Sequence, residues 1–158
     1  GVASGAFDIA VFIGNIYVLM SDSILKFVPI EAGYSEGTEY LSEKMSFGEN
    51  SRFAIDGSVW VTNGDEIYKF IRGEKEDFEV SGLVDGLGEL TLIYTSSELD
   101  NLYVVDKTNN SLLVVGKDGT YKKVLQSSDF AKASDLVVNA DESAVYIAIG
   151  SKIQKADL

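Results

Sequence analysis

The chain of 158 residues contains no cysteine and no histidine. Without cysteine it forms no disulfide, thiolate zinc site or cysteine nucleophile. Without histidine it lacks the commonest general base, the commonest transition-metal ligand and the proton acceptor of the usual serine triad. These two absences narrow the available chemistry sharply, so we expect a protein that is not an enzyme and holds no cofactor.

Positive charge is scarce as well, because 13 Lys and Arg stand against 25 Asp and Glu, giving a formal charge of −12. Only Arg52 and Arg72 carry guanidinium groups. A nucleic-acid binder needs a basic face to displace counterions from phosphates, so we expect no nucleic-acid partner. No run approaches the roughly 20 apolar residues of a membrane span, and no signal-peptide pattern is visible. No cellular compartment follows from these features.

One short apolar pattern recurs along the chain at a constant interval. It centres on an aromatic residue at positions 17, 60, 103 and 146, which are 43 residues apart, namely Tyr17, Trp60, Tyr103 and Tyr146. A second apolar run precedes each centre and a third follows it. Val, Ile, Tyr and Phe dominate these short runs while Asn, Asp, Gly and Ser bound them, which predicts strands joined as antiparallel hairpins.

The central run of each unit is apolar on both faces, as in Tyr17 to Met20 and Tyr146 to Ile149. A sheet with two apolar faces must be covered on both sides, and stacking such sheets around an axis does this in a β-propeller. The repeat length also agrees with the roughly 40–50 residues of a propeller blade. We therefore predict an all-β fold of four antiparallel sheet repeats, either four-bladed or part of a larger ring, with blades at 8–46, 52–83, 91–126 and 134–158.

The third unit carries a recognisable motif. Its segment from Leu102 to Val115, followed by Asp118-Gly119, resembles the repeat of NHL-type and related six-bladed propellers. The matching positions are Tyr103, Asp106, Asn109, Asn110, Asp118 and Gly119, whereas Ser111 stands where the family usually has arginine. The resemblance implies a propeller but no particular ligand. We expect the asparagines to serve the turn between the second and third strands.

The fourth strands of the units are harder to place. We predict them within 38–45, near Phe78 to Ser81 and at Tyr121 to Leu125, while the fourth unit stops after its third strand. Gly1 to Phe7 is too short to supply a closing strand and its loop. We expect a segment of a larger, bacterial-type protein, natural or engineered, although four blades closing on themselves is an alternative. Open blade faces would expose apolar surface, so we also expect self-association, with a dimer completing an eight-bladed ring as one form.

Candidate ligand contacts lie in the loops between second and third strands and in those leading into each first strand. They share polar side chains on one face of the predicted propeller: Asp22, Arg52, Asn63, Asp65, Glu66, Asp106 and Asn109. Their acidic balance favours a basic or polar partner, either a protein or a small ligand. The first strands, which line the channel of a propeller, offer only Asp8 among apolar residues, so we expect no metal there.

Calcium needs only oxygen ligands, and Asp85 to Glu89 and Asn139 to Glu142 are oxygen-rich. Neither segment has the spacing of a calcium loop, so we expect both to be turns. The sequence thus favours a non-catalytic module for protein interaction or ligand sensing. The alternative is a fragment of a propeller hydrolase or lyase whose catalytic residues lie in missing blades.

Overall fold

A computed structural model describes residues 5–158, so most of the segment considered for a closing strand falls outside the described residues. Within these described residues, seventeen short strands follow one another. In chain order they are β1 (Asp8–Phe12), β2 (Asn15–Leu19), β3 (Ile24–Phe27), β4 (Pro29–Ile30), β5 (Gly33–Tyr34), β6 (Thr38–Glu39), β7 (Phe53–Ile55), β8 (Val59–Asn63), β9 (Glu66–Ile71), β10 (Glu74–Glu76), β11 (Leu90–Tyr94), β12 (Asn101–Asp106), β13 (Ser111–Gly116), β14 (Tyr121–Gln126), β15 (Asp135–Val138), β16 (Ala144–Ile149) and β17 (Lys152–Asp157).

Four antiparallel sheets form the four blades of a β-propeller. Blade 1 has the order β1-β2-β3-β6, blade 2 has β7-β8-β9-β10, blade 3 has β11-β12-β13-β14, and blade 4 has β15-β16-β17. In residues 5–158 the one helical element is the short 3-10 turn Phe130–Lys132, and none is long and apolar enough to cross a membrane. The predicted all-β propeller is confirmed.

The repeated aromatic residue occupies the same register in every blade. Tyr17 pairs with Ala10, Trp60 with Ala54, Tyr103 with Tyr94 and Tyr146 with Val137, each time between the second strand and the first. The equal sequence intervals therefore correspond to equal structural positions, which allows any residue of one blade to be matched to those of the others.

Hydrophobic cores lie between the blades rather than within them. In the described part of the chain three clusters of buried side chains join blade 1 to blade 2, blade 2 to blade 3 and blade 3 to blade 4. The aromatic residues contribute to these cores, since Tyr17, Trp60 and Tyr103 are all buried. Stacking thus covers both faces of the inner blades, as the apolar central strands require.

The predicted fourth strand of the second unit, near Phe78 to Ser81, is wrong. The fourth strand of blade 2 is β10, because Arg72 (φ 53°) and Gly73 (φ 87°) form a tight turn directly after β9. Two left-handed residues in succession suit the twist of a two-residue hairpin. Phe78 instead packs its ring against Trp60. An additional hairpin, β4-β5, also precedes the fourth strand of blade 1.

The outer hairpins of blades 2 and 3 are each hydrogen-bonded to the segment that follows the last strand of the preceding blade. The carbonyl of Gly73 in blade 2 accepts a hydrogen bond of 3.0 Å from the backbone N–H of Ser42, which follows the last strand of blade 1. The carbonyl of Gly119 in blade 3 accepts one of 2.9 Å from Ser81, which follows the last strand of blade 2. The same connection therefore recurs at successive blade interfaces.

Candidate functional site

Three charged side chains meet at one end of the central channel. Asp8, Arg52 and Asp135 all line a cavity of about 480 Å³ between the first strands of the blades. They occupy matching positions, each two residues before the partner of the repeated aromatic. The matching residue of blade 3 is Leu92. The channel mouth, defined by Asp8, Arg52 and Asp135, thus combines two carboxylates with one guanidinium group.

Asp8 is held firmly between two blades. Its Oδ1 accepts a hydrogen bond of 2.8 Å from the N–H of Ile9, and its Oδ2 accepts one of 3.0 Å from the N–H of Phe53 in blade 2. Burial raises the pKa of the Asp8 carboxyl above its ordinary value, although these two hydrogen bonds and the Arg52 charge oppose the rise. The charge of Asp135 raises this pKa further. The carboxylate is therefore partly desolvated, and within residues 5–158 it forms no ion pair.

Arg52 and Asp135 complete the channel mouth in different ways. The Arg52 guanidinium donates from Nη1 to the carbonyls of Glu49 at 3.1 Å and Ser51 at 2.7 Å, which holds it beside the start of β7. The Oδ1 of Asp135 accepts a hydrogen bond of 2.8 Å from the N–H of Leu136, repeating the local geometry of Asp8. Asp135 is exposed, so its carboxylate faces the cavity with its hydration largely intact.

Asn63 and Asp106, two of the predicted ligand contacts, direct their polar atoms into the protein. They end the second strands of blades 2 and 3, and each accepts a backbone N–H from the loop before its own first strand. Asn63 Oδ1 accepts from Gly48 at 2.9 Å, and Asp106 Oδ2 accepts from Gly88 at 2.8 Å. Asp106 is also buried and bonded to both the backbone and the side-chain amide of Asn109. These residues hold the loops that surround the channel mouth.

The remaining predicted contacts lie on the rim. Asp22 is exposed and forms an ion pair of 3.2 Å with Lys44, and Glu66 accepts a hydrogen bond of 2.9 Å from the Tyr68 hydroxyl. Asp65 is exposed on the turn between β8 and β9. Asp106 and Asn109 also line a separate cavity of about 380 Å³, which lies between blade 3 and the segment 82–86 that precedes it. Of the seven predicted residues, Arg52 is the one that reaches the channel mouth.

Sequence reasoning missed Asp135 because it anticipated no converging charges on the first strands. Asp8 and Asp135 are not a whole number of repeats apart, since the hairpins between first and second strands differ in length. Aligning each first strand on the residue that pairs with the aromatic would have placed Asp8, Arg52 and Asp135 together. That register follows from the strand pairing in the structure and cannot be derived from the sequence spacing alone.

The structure also shows which hydrogen bonds form in the two oxygen-rich segments, 85–89 and 139–142. Asn139 accepts the N–H of Ala144 at 2.8 Å, and Asp141 accepts the hydroxyl of Ser143 at 2.8 Å, so this segment is a hairpin turn. In the other segment the N–H of Gly88 is bonded to Asp106. Across residues 5–158 no three His, Cys, Asp or Glu side chains lie close enough together to hold a metal ion.

Several solved structures share this architecture. A functionally unknown protein from Desulfotomaculum acetoxidans superposes with a TM-score of 0.66 at 13% identity, over 100% of this chain and 53% of that one. Kuenenia stuttgartiensis hydrazine synthase gives a TM-score of 0.68 at 11% identity, over 97% and 46%. Virginiamycin B lyase from Staphylococcus aureus gives 0.62 at 13% identity, over 98% and 56%. No family model and no curated protein sequence matches the chain.

These similarities support the propeller fold and no more, because the identities are far below those at which function is shared. The chain spans about half the length of the solved structures that it matches. The arrangement of the four sheets agrees with the predicted resemblance to propeller repeats.

The charges at the channel mouth lead to a prediction about the Asp8 pKa. We expect NMR titration of the carboxyl carbon to give a pKa above the usual value of about 3.9. Arg52→Gln should raise this pKa further because an attractive charge is lost, whereas Asp135→Asn should lower it because a repulsive one is lost.

The same shift has a consequence for stability. Since folding raises the pKa of Asp8, its favourable contribution is complete below the unfolded value and is lost as pH rises through the folded value. Over this pH interval the free energy of unfolding of the unaltered protein should therefore fall relative to that of the Asp8→Asn variant, whose amide does not titrate.

The pKa prediction is contradicted if neither Arg52→Gln nor Asp135→Asn changes the pKa of Asp8, because the three groups would then not share a site.

Proposed function

We propose that the protein is a non-catalytic binding module whose channel mouth receives a basic group of a peptide or small polar ligand. The observation that carries this proposal is the desolvated carboxylate of Asp8, which lines one cavity with Asp135. Burial destabilises the charged form of the Asp8 carboxyl group, and a cation that enters this cavity stabilises that charged form again. The acidic rim, including Asp65 and Glu66, adds long-range attraction for positive charge.

Arg52 gives the channel mouth selectivity as well as charge. Its guanidinium lies near Asp8 and lowers the Asp8 pKa, so a simple cation alone does not satisfy the whole cavity. A ligand that presents a cationic group to Asp8 and Asp135, and a polar or anionic group to Arg52, matches all three. An acidic surface with so few arginines does not suit nucleic acid.

The proposal is tested by NMR titration with trilysine, using triglutamate as the matched probe of opposite charge. Trilysine should shift the backbone amide signals of Asp8, Phe53 and Asp135, and triglutamate should not. The double variant Asp8→Asn, Asp135→Asn should lose these shifts while its spectrum elsewhere stays that of the folded protein.

Asp65→Lys is the control for the acidic rim, because Asp65 is exposed and bonded to no other side chain in the described structure. It should weaken trilysine binding only modestly and slightly reduce the dependence of that binding on salt, because part of the long-range attraction is removed. Trilysine shifts spread evenly over the acidic surface, and unchanged by the double variant, would contradict a site at the channel mouth.

The alternative function is that of a propeller hydrolase or lyase whose catalytic residues lie in blades outside this chain. The observation in its favour is the similarity to virginiamycin B lyase, of which the chain covers 56%. Histidines and carboxylates on the first strands of additional blades would favour this alternative over a binding module. We further propose that the protein associates with itself through the exposed apolar faces of its outer blades.

A further inference from the structure

Each inner blade has two distinct faces, and the strand register identifies the residues of each. The leading face of a blade packs against the preceding blade, and the trailing face packs against the following one. In blade 2 the leading face consists of six positions, all of them in the core shared with blade 1: Phe53, Ile55, Val59, Val61, Tyr68 and Phe70. In blade 3, five matching residues lie in the core shared with blade 2, namely Ile93, Leu102, Val104, Leu113 and Val115.

Blade 1 carries the same leading face, but no blade covers it in residues 5–158. The six matching residues are all apolar: Ile9, Val11, Ile16, Val18, Leu25 and Phe27. Ile9 is 64% exposed and Val11 is 67% exposed. A cavity of about 540 Å³ opens on this face between Ile9, Ile16 and Phe27. An apolar patch with a cavity at its centre is typical of a surface that receives a side chain from a partner.

Blade 4 presents the converse surface, a trailing face without a following blade. The repeated aromatic lies on the trailing face and is buried in blades 1 to 3, but Tyr146 of blade 4 is 41% exposed. The third-strand residue that pairs with the position two after the aromatic behaves likewise, since Ile24, Ile67 and Leu112 are buried and Ile153 is 76% exposed. Val137 beside Tyr146 is also exposed. Tyr146 and Ile153 thus occupy positions that the inner blades bury, and Val137 matches Ala54, which is buried, and Tyr94, which is partly buried.

We propose that the trailing face of blade 4 packs against the leading face of blade 1 of a second copy of this chain. The contact joins the same two kinds of face as the three interfaces within the chain, with Tyr146 in the cavity beside Ile9. Two copies that each use both faces close a ring of eight blades. In that ring the channel mouth is completed by the first strands of both copies, although the contact itself does not depend on the proposed ligand.

A second copy of the chain is the partner that we favour, because each chain has both faces of the contact, the leading face of blade 1 and the trailing face of blade 4. A head-to-tail contact of this kind leaves no apolar face uncovered when it closes on itself. The solved structures that match this chain are about twice as long, so the arc seen here corresponds to about half of each of them. A second copy supplies an arc of the same length.

The test is the mass of the 158-residue protein in solution, measured by light scattering over a wide range of concentrations. We expect a species of twice the 17.1 kDa of one chain. Tyr146→Asp and Val11→Asp, each measured alone, should give monomers, because in either variant every contact between copies contains one altered face. Val84→Asp is the matched control, since Val84 is 95% exposed and lies on neither face, and it should remain dimeric.

Mixing the two monomeric variants provides a stricter test. A pair formed by one chain of each variant has one contact in which both faces are unaltered, so mixing should restore association. A symmetric contact, in which each face meets the same face of another copy, would instead leave one of the two variants dimeric when measured alone. Far-ultraviolet circular dichroism of each variant shows that it is folded.

A monomer at every concentration of the unaltered protein would overturn the proposal. So would a dimer that survives both Tyr146→Asp and Val11→Asp, because its contact would lie elsewhere. Larger head-to-tail species without a dimer would overturn closure at eight blades.

Discussion

Trp60→Ala should lower the free energy of unfolding by about 3–5 kcal/mol, the range for removing a large buried aromatic. Trp60 is 1% exposed and lies in the core between blades 2 and 3. Its ring packs edge-to-face against Phe78 with centroids 5.0 Å apart, and the Lys69 ammonium lies 4.9 Å from its centroid. Because blades are held together by these cores, a cavity here weakens the contact between two halves of the chain.

The indole of Trp60 also belongs to a polar connection between the two blades. Its Nε1 donates a hydrogen bond of 2.9 Å to Asp56 Oδ1, and Asp56 Oδ2 forms an ion pair of 2.7 Å with Lys117 of blade 3. Removing the indole takes one donor from a largely buried carboxylate, which adds to the cost of the cavity. Urea unfolding followed by circular dichroism is the suitable measurement, since this is the only tryptophan in the chain.

Trp60→Phe is the control that separates packing from hydrogen bonding. It retains an aromatic ring in the core and loses the donor to Asp56, so we expect a loss of about 1–2 kcal/mol. A loss below about 1 kcal/mol for Trp60→Ala would show that Trp60 does not lie between blades, and that the register derived from the repeat is wrong.

Gly73→Ala should also be strongly destabilising, lowering the free energy of unfolding by about 2–4 kcal/mol. Gly73 has φ of 87°, which a residue with a side chain adopts only with strain. An added Cβ would also lie far inside van der Waals contact of the backbone carbonyl of Tyr40 in blade 1. Backbone atoms do not move aside as a flexible side chain does, so the hairpin would separate from blade 1 and lose its bond from Ser42.

Gly64→Ala distinguishes the two causes, because Gly64 has φ of 64° but nothing near its Cβ position. Strain alone should cost it about 1 kcal/mol. Gly119→Ala should behave like Gly73→Ala, since its Cβ would meet the carbonyl of Glu79 in blade 2. Equal losses for Gly73→Ala and Gly64→Ala would show that the close contact between the hairpin and the preceding blade is not formed. Thermal or urea unfolding of the three variants makes this comparison.

The sequence by itself determined the class of fold and the number of units. Equal spacing of Tyr17, Trp60, Tyr103 and Tyr146 follows from a repeated structural unit, and apolar residues on both sides of the central strands require that both faces be covered. These are local properties of the chain, so they can be read without knowing which residues meet. The position of β10 could not be predicted in this way, because Glu74, Lys75 and Glu76 are all charged and exposed, whereas the alternation of apolar and polar residues from Phe78 to Ser81 is the pattern typical of a strand.

The site depended on tertiary structure for a different reason. Asp106 looks like an exposed turn residue in the sequence, yet its carboxylate is buried and binds the loop that contains Gly88. Asp135 looks like an isolated acid, yet it shares a cavity with Asp8 and Arg52 because pairing with the second strand places all three at the same level of the channel. Composition and spacing state which side chains are present, whereas the register of strands and the stacking of blades decide which of them meet.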